Sequence, residues 1–284
     1  MKKYFCVSDI HSFYTILIKA LHKKGFDEHN QDHILIVLGD IFDRGNESLE
    51  VYEFLRSLPK ERRILIRGNH EYLLRDLVKK GFPEQHDYHN GTFNTLFQLA
   101  DIGFKNEKEL ESARYKELGK NNIRYNSPEY LSINSKYNTL RKKLYKGKVE
   151  EILEWINSDE WVNYYELDNY IFVHGWIPCA TVPSHYSYQP KEIGYREDWR
   201  NATDVEWEDA SWGCPWKKAK DGWNKTGKVI VCGHWHTSDF YNHLTKIKKD
   251  IYDCPIFQSK KYQLIGLDAC TAGSNKINVL VIEQ

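Results

Sequence analysis

The chain opens with short unbroken apolar runs, separated by stretches in which apolar residues recur every three or four positions. Tyr4 to Ser8 and His33 to Leu38 read as strands buried on both faces, and Arg63 to Ile66 as a third. Between them, Phe13 to Lys24 puts Phe13, Ile16, Leu17, Ala20 and Leu21 on one helical face. Glu47 to Leu58 does the same with Leu49, Val51, Tyr52 and Leu55, and ends before Pro59. Glu71 to Lys80 predicts a third helix, stopped by Gly81 and Pro83. Strands alternating with helices predict βαβ units and a mainly parallel sheet.

The pattern changes over residues 82–166. This stretch is rich in Lys, Glu, Asn and Tyr, with helical segments at Thr92 to Ala100, Glu107 to Leu118 and Val149 to Asn157. It breaks the strand–helix rhythm, and a helical insertion or cap within a single domain spanning 1–284 is the expectation. Its role is either to shape a substrate entrance or simply to pack. The rhythm resumes with a strand at Tyr170 to His174. An aromatic-rich segment from Trp176 to Trp223 reads as irregular, and Lys228 to Gly233, Tyr262 to Leu267 and Lys276 to Ile282 read as strands. Late strands with few helices between them predict a second sheet packed on the first.

At 284 residues the chain can hold one large α/β domain with an insertion. Lys+Arg and Asp+Glu each number 40, so no global charge draws the protein to a long nucleic acid. The six cysteines are scattered without a Cys-x-x-Cys pair, which predicts reduced thiols in the cytoplasm. Met1 to Phe5 runs straight into a strand without a long apolar segment, so no signal peptide or membrane span is expected.

Chemistry-bearing residues cluster where the strands end. The motifs are Asp9-Ile10-His11, Gly39-Asp40-Ile41-Phe42-Asp43-Arg44-Gly45, Gly68-Asn69-His70-Glu71, His174-Gly175 and Gly233-His234-Trp235-His236. The first three follow one another at the interval of one βα unit, roughly 30 residues. In an open α/β sheet, ligands bind outside the carboxyl ends of the strands. Each motif alone has an ordinary explanation: Gly-Asp makes turns and helix caps, and a histidine ending a strand is commonly structural. Five in order at strand ends point to one site.

Asp, Asn and His offer hard oxygens and imidazole nitrogens, with no thiolate, which suits Mn, Fe, Zn or Mg. Two adjacent ions would clamp a phosphate and activate a water. Asp40 is the natural bridging carboxylate. Asp9, His11 and His236 would complete one ion, and Asn69, His174 and His234 the other. His70 follows Asn69 and is placed to protonate a leaving alkoxide, with Asp43 orienting it. Arg44 offers a planar fork of donors to phosphate oxygens. Glu71, at the start of a helix, is better read as a cap. Trp176 and Trp235 adjoin ligand histidines and could stack a nucleobase, although walling the pocket is the more ordinary role.

Gly-Asp-Ile-Phe-Asp-Arg-Gly and Arg-Gly-Asn-His-Glu resemble blocks of the metallophosphoesterase superfamily. The chain is most similar to its phosphoprotein phosphatase type and to the bacterial and phage relatives that include symmetrical diadenosine tetraphosphate hydrolases. The motifs run from Asp9 to His236; residues 82–166 have no evident match. The resemblance implies an α/β fold, a two-sheet β-sandwich flanked by helices with a helical insertion. It implies a dinuclear site, most often manganese, with Fe, Zn, Ni or Co as alternatives. The ligands would be Asp9, His11, Asp40, Asn69, His174, His234 and His236, with Asp43 and His70 as the acid dyad and Arg44 as a phosphate clamp. A faint match over Arg200 to Asp204 adds Arg200 as a second phosphate arginine, with Arg67 as the alternative.

Three departures stand out. Ser12 occupies a position where the family has glycine. His174 is followed by Gly-Trp-Ile-Pro. The last motif carries paired histidines, as in the bacterial relatives.

The expected activity is hydrolysis of phosphate monoesters, with phosphoserine or phosphothreonine as substrate and the partner a phosphorylated protein, nucleotide or small molecule. A dinucleoside polyphosphate hydrolase is the alternative, a nuclease a weaker third, and an inactive scaffold the reading from outside enzymology.

Overall fold

The computed structural model describes residues 1–120, 123–183 and 190–284. The first third follows the expected rhythm: β1 (Lys3–Val7), α1 (Tyr14–Lys23), β2 (His33–Leu38), α2 (Ser48–Ser57), β3 (Arg63–Ile66) and α3 (Asn69–Lys80). Helices α4 (Gln85–Asn90), α5 (Thr92–Ala100), α6 (Glu107–Lys120), α7 (Pro128–Lys143) and α8 (Lys148–Ile156) fill the middle. Next come β4 (Trp161–Val162), β5 (Tyr165–Leu167), β6 (Tyr170–Phe172), β7 (Cys179–Val182), β8 (Lys191–Tyr195), α9 (Asp204–Ser211) and α10 (Pro215–Lys220). The chain closes with β9 (Val229–Cys232), α11 (Thr237–Leu244), β10 (Phe257–Ser259), β11 (Leu264–Gly266), α12 (Thr271–Ser274) and β12 (Leu280–Glu283).

Among the described residues these strands form two five-stranded sheets and a hairpin. The first sheet runs β12-β1-β2-β3-β4, and the second β10-β11-β9-β6-β5. The inner strands β1, β2 and β3 are mutually parallel, in register through Cys6, Ile36 and Ile64. Strands β6, β9 and β11 are parallel as well, aligning Ile171 with Ile230 and Val231 with Ile265. Each parallel set therefore turns its carboxyl ends toward one edge.

Strand periodicity explains the layers. In β1, Tyr4 and Cys6 pack with Ile36, Leu38, Phe172, Val231 and Ile265 between the sheets. The alternate residues Phe5 and Val7 pack outward, against Leu17 and Leu21 of α1, Val51 and Leu55 of α2, and Leu74 and Leu77 of α3. The second sheet likewise turns Ile171 and Ile230 toward Trp207 of α9, Ala219 of α10 and Phe240 of α11. Burial on both faces is why these strands read as unbroken apolar runs. Each fully buried Leu or Ile contributes about 1.5–3 kcal/mol of transfer free energy.

Helices α4 to α8 of residues 82–166 precede β4, and α5 and α8 dock on the first sheet's helical face: Leu96, Phe97, Val149 and Ile152 join the core of α1 to α3. The 16-residue α7 buries only Tyr137, so its sequence carries almost no apolar stripe. Its start was legible instead in Ser127-Pro128, a serine cap that accepts from Tyr130 N before a proline in the first turn.

The segment Trp176 to Trp223 is not irregular. It contains a β7–β8 hairpin, α9 and α10; its residues 184–189 lie outside the described residues. Thr203 and Glu206 cap α9 reciprocally, and Glu206 accepts from Thr203 N at 2.7 Å. That Thr-x-x-Glu signature was available, but eight helical residues crowded with tryptophans show little periodicity.

Candidate metal centre at the carboxyl edge of both sheets

Asp9 and Asp40 each lie two residues beyond a strand of the first sheet, and Asn69 opens α3 just after β3. His174 and His234 lie two residues beyond β6 and β9 of the second sheet. The site is thus a seam fed by both sheets.

The loops are tightly wound. Asp9, His11, Asp40, Asp43, Arg44 and His234 all take left-handed φ values, from 51° to 74°. Each such residue costs on the order of 1–3 kcal/mol, and such strain concentrates at functional sites. Hydrogen bonds zip the first two loops together: His11 N donates to Asp40 O at 2.9 Å, Ser12 N to Ile41 O at 2.8 Å and Gly45 N to His11 O at 2.9 Å. Ser12 is itself left-handed at 60°, which accounts for a glycine preference there, and its hydroxyl meets that of Ser48 at 2.7 Å. Gly233 permits the closest approach, because a Cβ there would overlap the Ser8 hydroxyl and the Asp9 carboxylate.

Asp40 is the hub. Its Oδ1 accepts from His70 N at 3.0 Å and lies 3.3 Å from His174 Nε2. Its Oδ2 lies 3.9 Å from His11 Nε2 and 3.8 Å from His70 Nε2. Donor atoms of His11, Asp40 and His70 lie within 4.8 Å of one another, as do those of Asp40, His174 and His234. Asn69 Oδ1 is 2.9 Å from His174 Nε2, and Asp9 Oδ1 is 4.0 Å from His11 Nε2. Asp9 is anchored by the Ser8 hydroxyl and by His234 N at 3.0 Å.

Two histidines are aimed by the backbone. His11 Nδ1 donates to Phe42 O at 2.9 Å, and His174 Nδ1 donates to Leu38 O at 2.6 Å. A carbonyl only accepts, so the proton sits on Nδ1 and Nε2 faces the cluster. This is how ligating histidines are oriented in metal sites. The oxygens and imidazoles gathered on Asp40, with one thiolate-free pocket on each side of its carboxylate, fit two divalent cations.

The electrostatics agree. Burial alone would lower His174, but the Asp40 charge, the Asp40 hydrogen bond, Asp9 and the Leu38 carbonyl outweigh it and raise it to about 10. Burial would raise Asp40, yet His174, His70 and His11 hold it well below the carboxylate range. Burial lowers His11, with Arg44 and His70 adding to the effect, and burial and then His174 push His234 down to about 3. The Asp40 carboxylate thus favours the charged form of His174, while His11 and His234 are held toward the neutral one.

His70 Nδ1 lies 2.6 Å from Asp43 Oδ2. Burial lowers His70, but Asp40 and the Asp43 bond prevail, so its net shift is upward. Arg44 is an exposed residue whose Nη1 donates to His11 Nε2 at 2.9 Å and whose Nη2 lies 3.4 Å from His70 Nε2. Glu71 caps α3, as expected, and does more. It accepts from Gly68 N at 2.7 Å and from Asp40 N and Ile41 N at 2.9 Å each, bracing the turn that carries the hub. Burial and then Asp40 raise it to about 7.

Not every expected residue joins the cluster. His236 immediately precedes α11 and feels the Asp9 carboxylate, but among the described residues it shows no hydrogen bond to the others. Arg200 is not brought to the site. It donates to both oxygens of Glu166, at 2.6 and 3.0 Å, and stacks on Trp199 at 4.2 Å. Glu166 also holds Lys228, which precedes β9 at the end opposite His234. Arg67 is spent on Ile156 O at 3.2 Å and Ser158 O at 3.0 Å. Trp176 is 1% exposed and so cannot stack a ligand, whereas Trp212 is 49% exposed and meets the His234 ring edge-on at 5.8 Å.

Sequence reasoning missed Thr92 and Thr95, which donate to Asp43 at 2.7 and 2.6 Å. Neither carries a local signal. It also missed Asp268, a buried carboxyl just beyond β11 that burial, then Asp9, raises well above the usual range. Its place after an apolar run matches that of Asp9 and Asp40 and was readable.

A two-sheet sandwich with acid, amide and imidazole groups at the shared carboxyl edge defines a metallohydrolase architecture. Residues 2–238 match the calcineurin-like phosphoesterase family, and the chain belongs to it. It is 37% identical over 70 residues to serine/threonine-protein phosphatase 1 of Salmonella typhimurium, covering 25% of this chain and 30% of that protein. It is 37% identical over 104 residues to the symmetrical bis(5'-nucleosyl)-tetraphosphatase of Buchnera aphidicola, covering 37% and 35%. The asymmetrical bis(5'-nucleosyl)-tetraphosphatase of Bacillus subtilis is 32% identical over 123 residues, covering 40% and 48%. The matched segments thus span between 30% and 48% of these relatives. A cold-active protein-tyrosine phosphatase of a psychrophilic Shewanella has the same fold, with a TM-score of 0.51 and 15% identity over 100% of this chain and 76% of that one.

Proposed function

We propose that this protein is a metal-dependent phosphoric ester hydrolase acting on phosphate monoesters, with phosphoserine or phosphothreonine as the first substrates to test. One observation carries the reading: Asp9, His11, Asp40, Asn69, His174 and His234 converge from five strand ends of both sheets, with Asp40 at the hub. These residues, with His236 as a seventh ligand, would hold two divalent ions, manganese foremost. Such a pair acidifies a bound water and neutralises phosphate charge.

The remaining steps belong to side chains of the chain. Arg44, at the mouth, presents its guanidinium fork to phosphate oxygens. His70, held by Asp43 and raised in basicity, keeps a proton to give to the departing alkoxide. Thr92 and Thr95 fix Asp43, so it presents one oxygen to His70.

We further propose that residues 82–166 are an insertion within one catalytic domain, since their helices share the core of the first sheet's helical face. A cytoplasmic location is supported by six free cysteines. Among the described residues no helix is long and apolar enough to cross a membrane.

The test is metal analysis and turnover after manganese reconstitution. Asp40→Asn is expected to lose both metal and activity. Two ions retained at full occupancy in that variant would overturn the bridging role. A dinucleoside polyphosphate is the second reading, favoured by the half-exposed Trp212, whose ring meets that of His234 at 5.8 Å and is free on its other side to stack a base.

A further inference from the structure

A second group of metal-type donors stands apart from the central cluster, at the start of α4. Donor atoms of Glu84, His86 and Asp87 lie within 4.8 Å of one another. The Glu84 and His86 side chains are half exposed, whereas Asp87 is almost wholly buried. Asp87 divides its two oxygens. Oδ2 accepts from Glu84 N at 2.7 Å and lies 3.6 Å from Lys80 Nζ. Oδ1 is buried and has no hydrogen-bond partner among the described residues. A buried carboxylate oxygen without a donor is costly, and a native fold that keeps one commonly does so for an ion or a water.

The spacing suits a small cation. His86 Nε2 lies 3.4 Å from the orphaned Oδ1 without bonding to it. Two donors held about 2.0–2.1 Å from one tetrahedral ion stand about 3.3 Å apart. One imidazole and two carboxylates, with water in the fourth place, make a zinc-type set; cobalt, nickel and manganese accept the same donors. Lys80 Nζ sits on Glu84 Oε2 at 2.6 Å. That single ammonium faces two carboxylates, so with His86 neutral the group keeps one net negative charge. The position also bears on the central cluster. α4 ends at Gly91, whose left-handed backbone (φ 87°) runs so close to Arg44 that a Cβ would stand 2.8 Å from Arg44 N. Thr92 follows and donates to Asp43.

We propose that Glu84, His86 and Asp87 form a further divalent-cation site of the zinc type, which braces α4 against the loop carrying Asp43 and Arg44. The ion fills the gap between His86 Nε2 and Asp87 Oδ1, and Glu84 closes it from the solvent side. Lys80 holds the two carboxylates together when the ion is away and competes with it when it arrives. The site shares no ligand with the central cluster, so it stands or falls independently of the central metal pair.

The test titrates zinc into the full chain by calorimetry, in Asp40→Asn, which weakens the central pair, and in Asp40→Asn/His86→Ala. His86 is at the surface, so its loss should leave the fold intact. Asp40→Asn is expected to bind one zinc equivalent that the double variant loses or binds at least about tenfold more weakly. Cobalt in the same site should give the visible absorption of a tetrahedral ion in Asp40→Asn, and that absorption should vanish in the double variant. Zinc should raise the melting temperature of the first and leave that of the second nearer its metal-free value. Lys80→Gln removes the competing charge and should tighten binding. Matching isotherms and spectra with and without His86 would leave a plain His86–Asp87 pair and overturn the proposal, as would weaker binding in Lys80→Gln. If Asp40→Asn keeps its central ions, the bridging role of Asp40 fails, while the comparison at His86 still decides this site.

Discussion

The Asp43 carboxylate lies 2.6 Å from Nδ1 of His70, and both side chains are almost wholly buried. Asp43 is fastened from the other side by Thr92 and Thr95, the first turn of α5. The same helix sends Gln98 to Gly45 O at 3.0 Å and to Ser48 N at 3.0 Å. The stretch after β3 that looked least catalytic in the sequence therefore positions the proposed proton donor.

His70→Asn is expected to cut turnover on an alkyl phosphate ester by about 10²–10⁴-fold while metal content stays near that of the parent. Steady-state kinetics with elemental analysis reads both. Full turnover in the variant would remove His70 from the acid role.

Thr95→Val leaves the Asp43 Oδ1 without its hydroxyl donor. Loss of such an outer partner commonly costs about 10–100-fold in activity, and a buried unsatisfied acceptor about 1–3 kcal/mol in stability. Thr95→Ser should restore both, since it keeps the hydroxyl. A positioning role also predicts a shifted limb in the pH profile of kcat; a profile identical to the parent's would assign Thr95 to packing alone.

The metal-free protein should be stabilised by a proton on His174. Its folded pKa is raised from 6.5 to about 10, so that contribution is complete below pH 6.5 and is lost as pH rises through about 10. Melting temperature should fall over that window, and His174→Asn should flatten the fall. Manganese binding at pH 8 should release at least one proton, because a ligand nitrogen must be bare. Calorimetry in buffers of different ionisation enthalpy counts it, and zero release would contradict the assignment of His174 as a ligand.

Gly233→Ala places a methyl on the Ser8 hydroxyl and the Asp9 carboxylate, both buried. The expected cost is about 1–3 kcal/mol of stability together with weakened metal affinity, since Asp9 must move. Denaturant unfolding and metal titration measure the two; an unaltered metal affinity would detach Asp9 from the cluster.

The strands were readable because burial on both faces makes them apolar after their first residue: His33–Leu38 and Arg63–Ile66 have the bounds their runs predict. The strand-end motifs were readable for a related reason, since Asp40 and Asn69 each follow a glycine at the end of such a run. Partnerships made across the fold were not. Thr92 and Thr95 reach Asp43 over 49 and 52 positions, and Glu166 takes Arg200 from 34 positions away. The tryptophans show the same limit. Trp176 adjoins His174 in the chain yet is sealed in the core, while Trp212 reaches His234 only through the packing of α9.

Asp40 rides on one sheet and His174 on the other, and the hydrocarbon between the sheets sets how far apart they stand. Tyr4, Cys6, Ile36, Leu38, Phe172 and Val231 thus act as a caliper whose jaws are the proposed ligand atoms. Cation–oxygen distances differ by only a few tenths of an ångström between ions, about 2.0–2.2 Å for zinc and 2.3–2.6 Å for calcium. Thickening the interior with Val231→Ile should favour the larger ion, and thinning it with Ile36→Val the smaller. Competitive titration would record a change in ion choice made by methyl groups that never touch the ion.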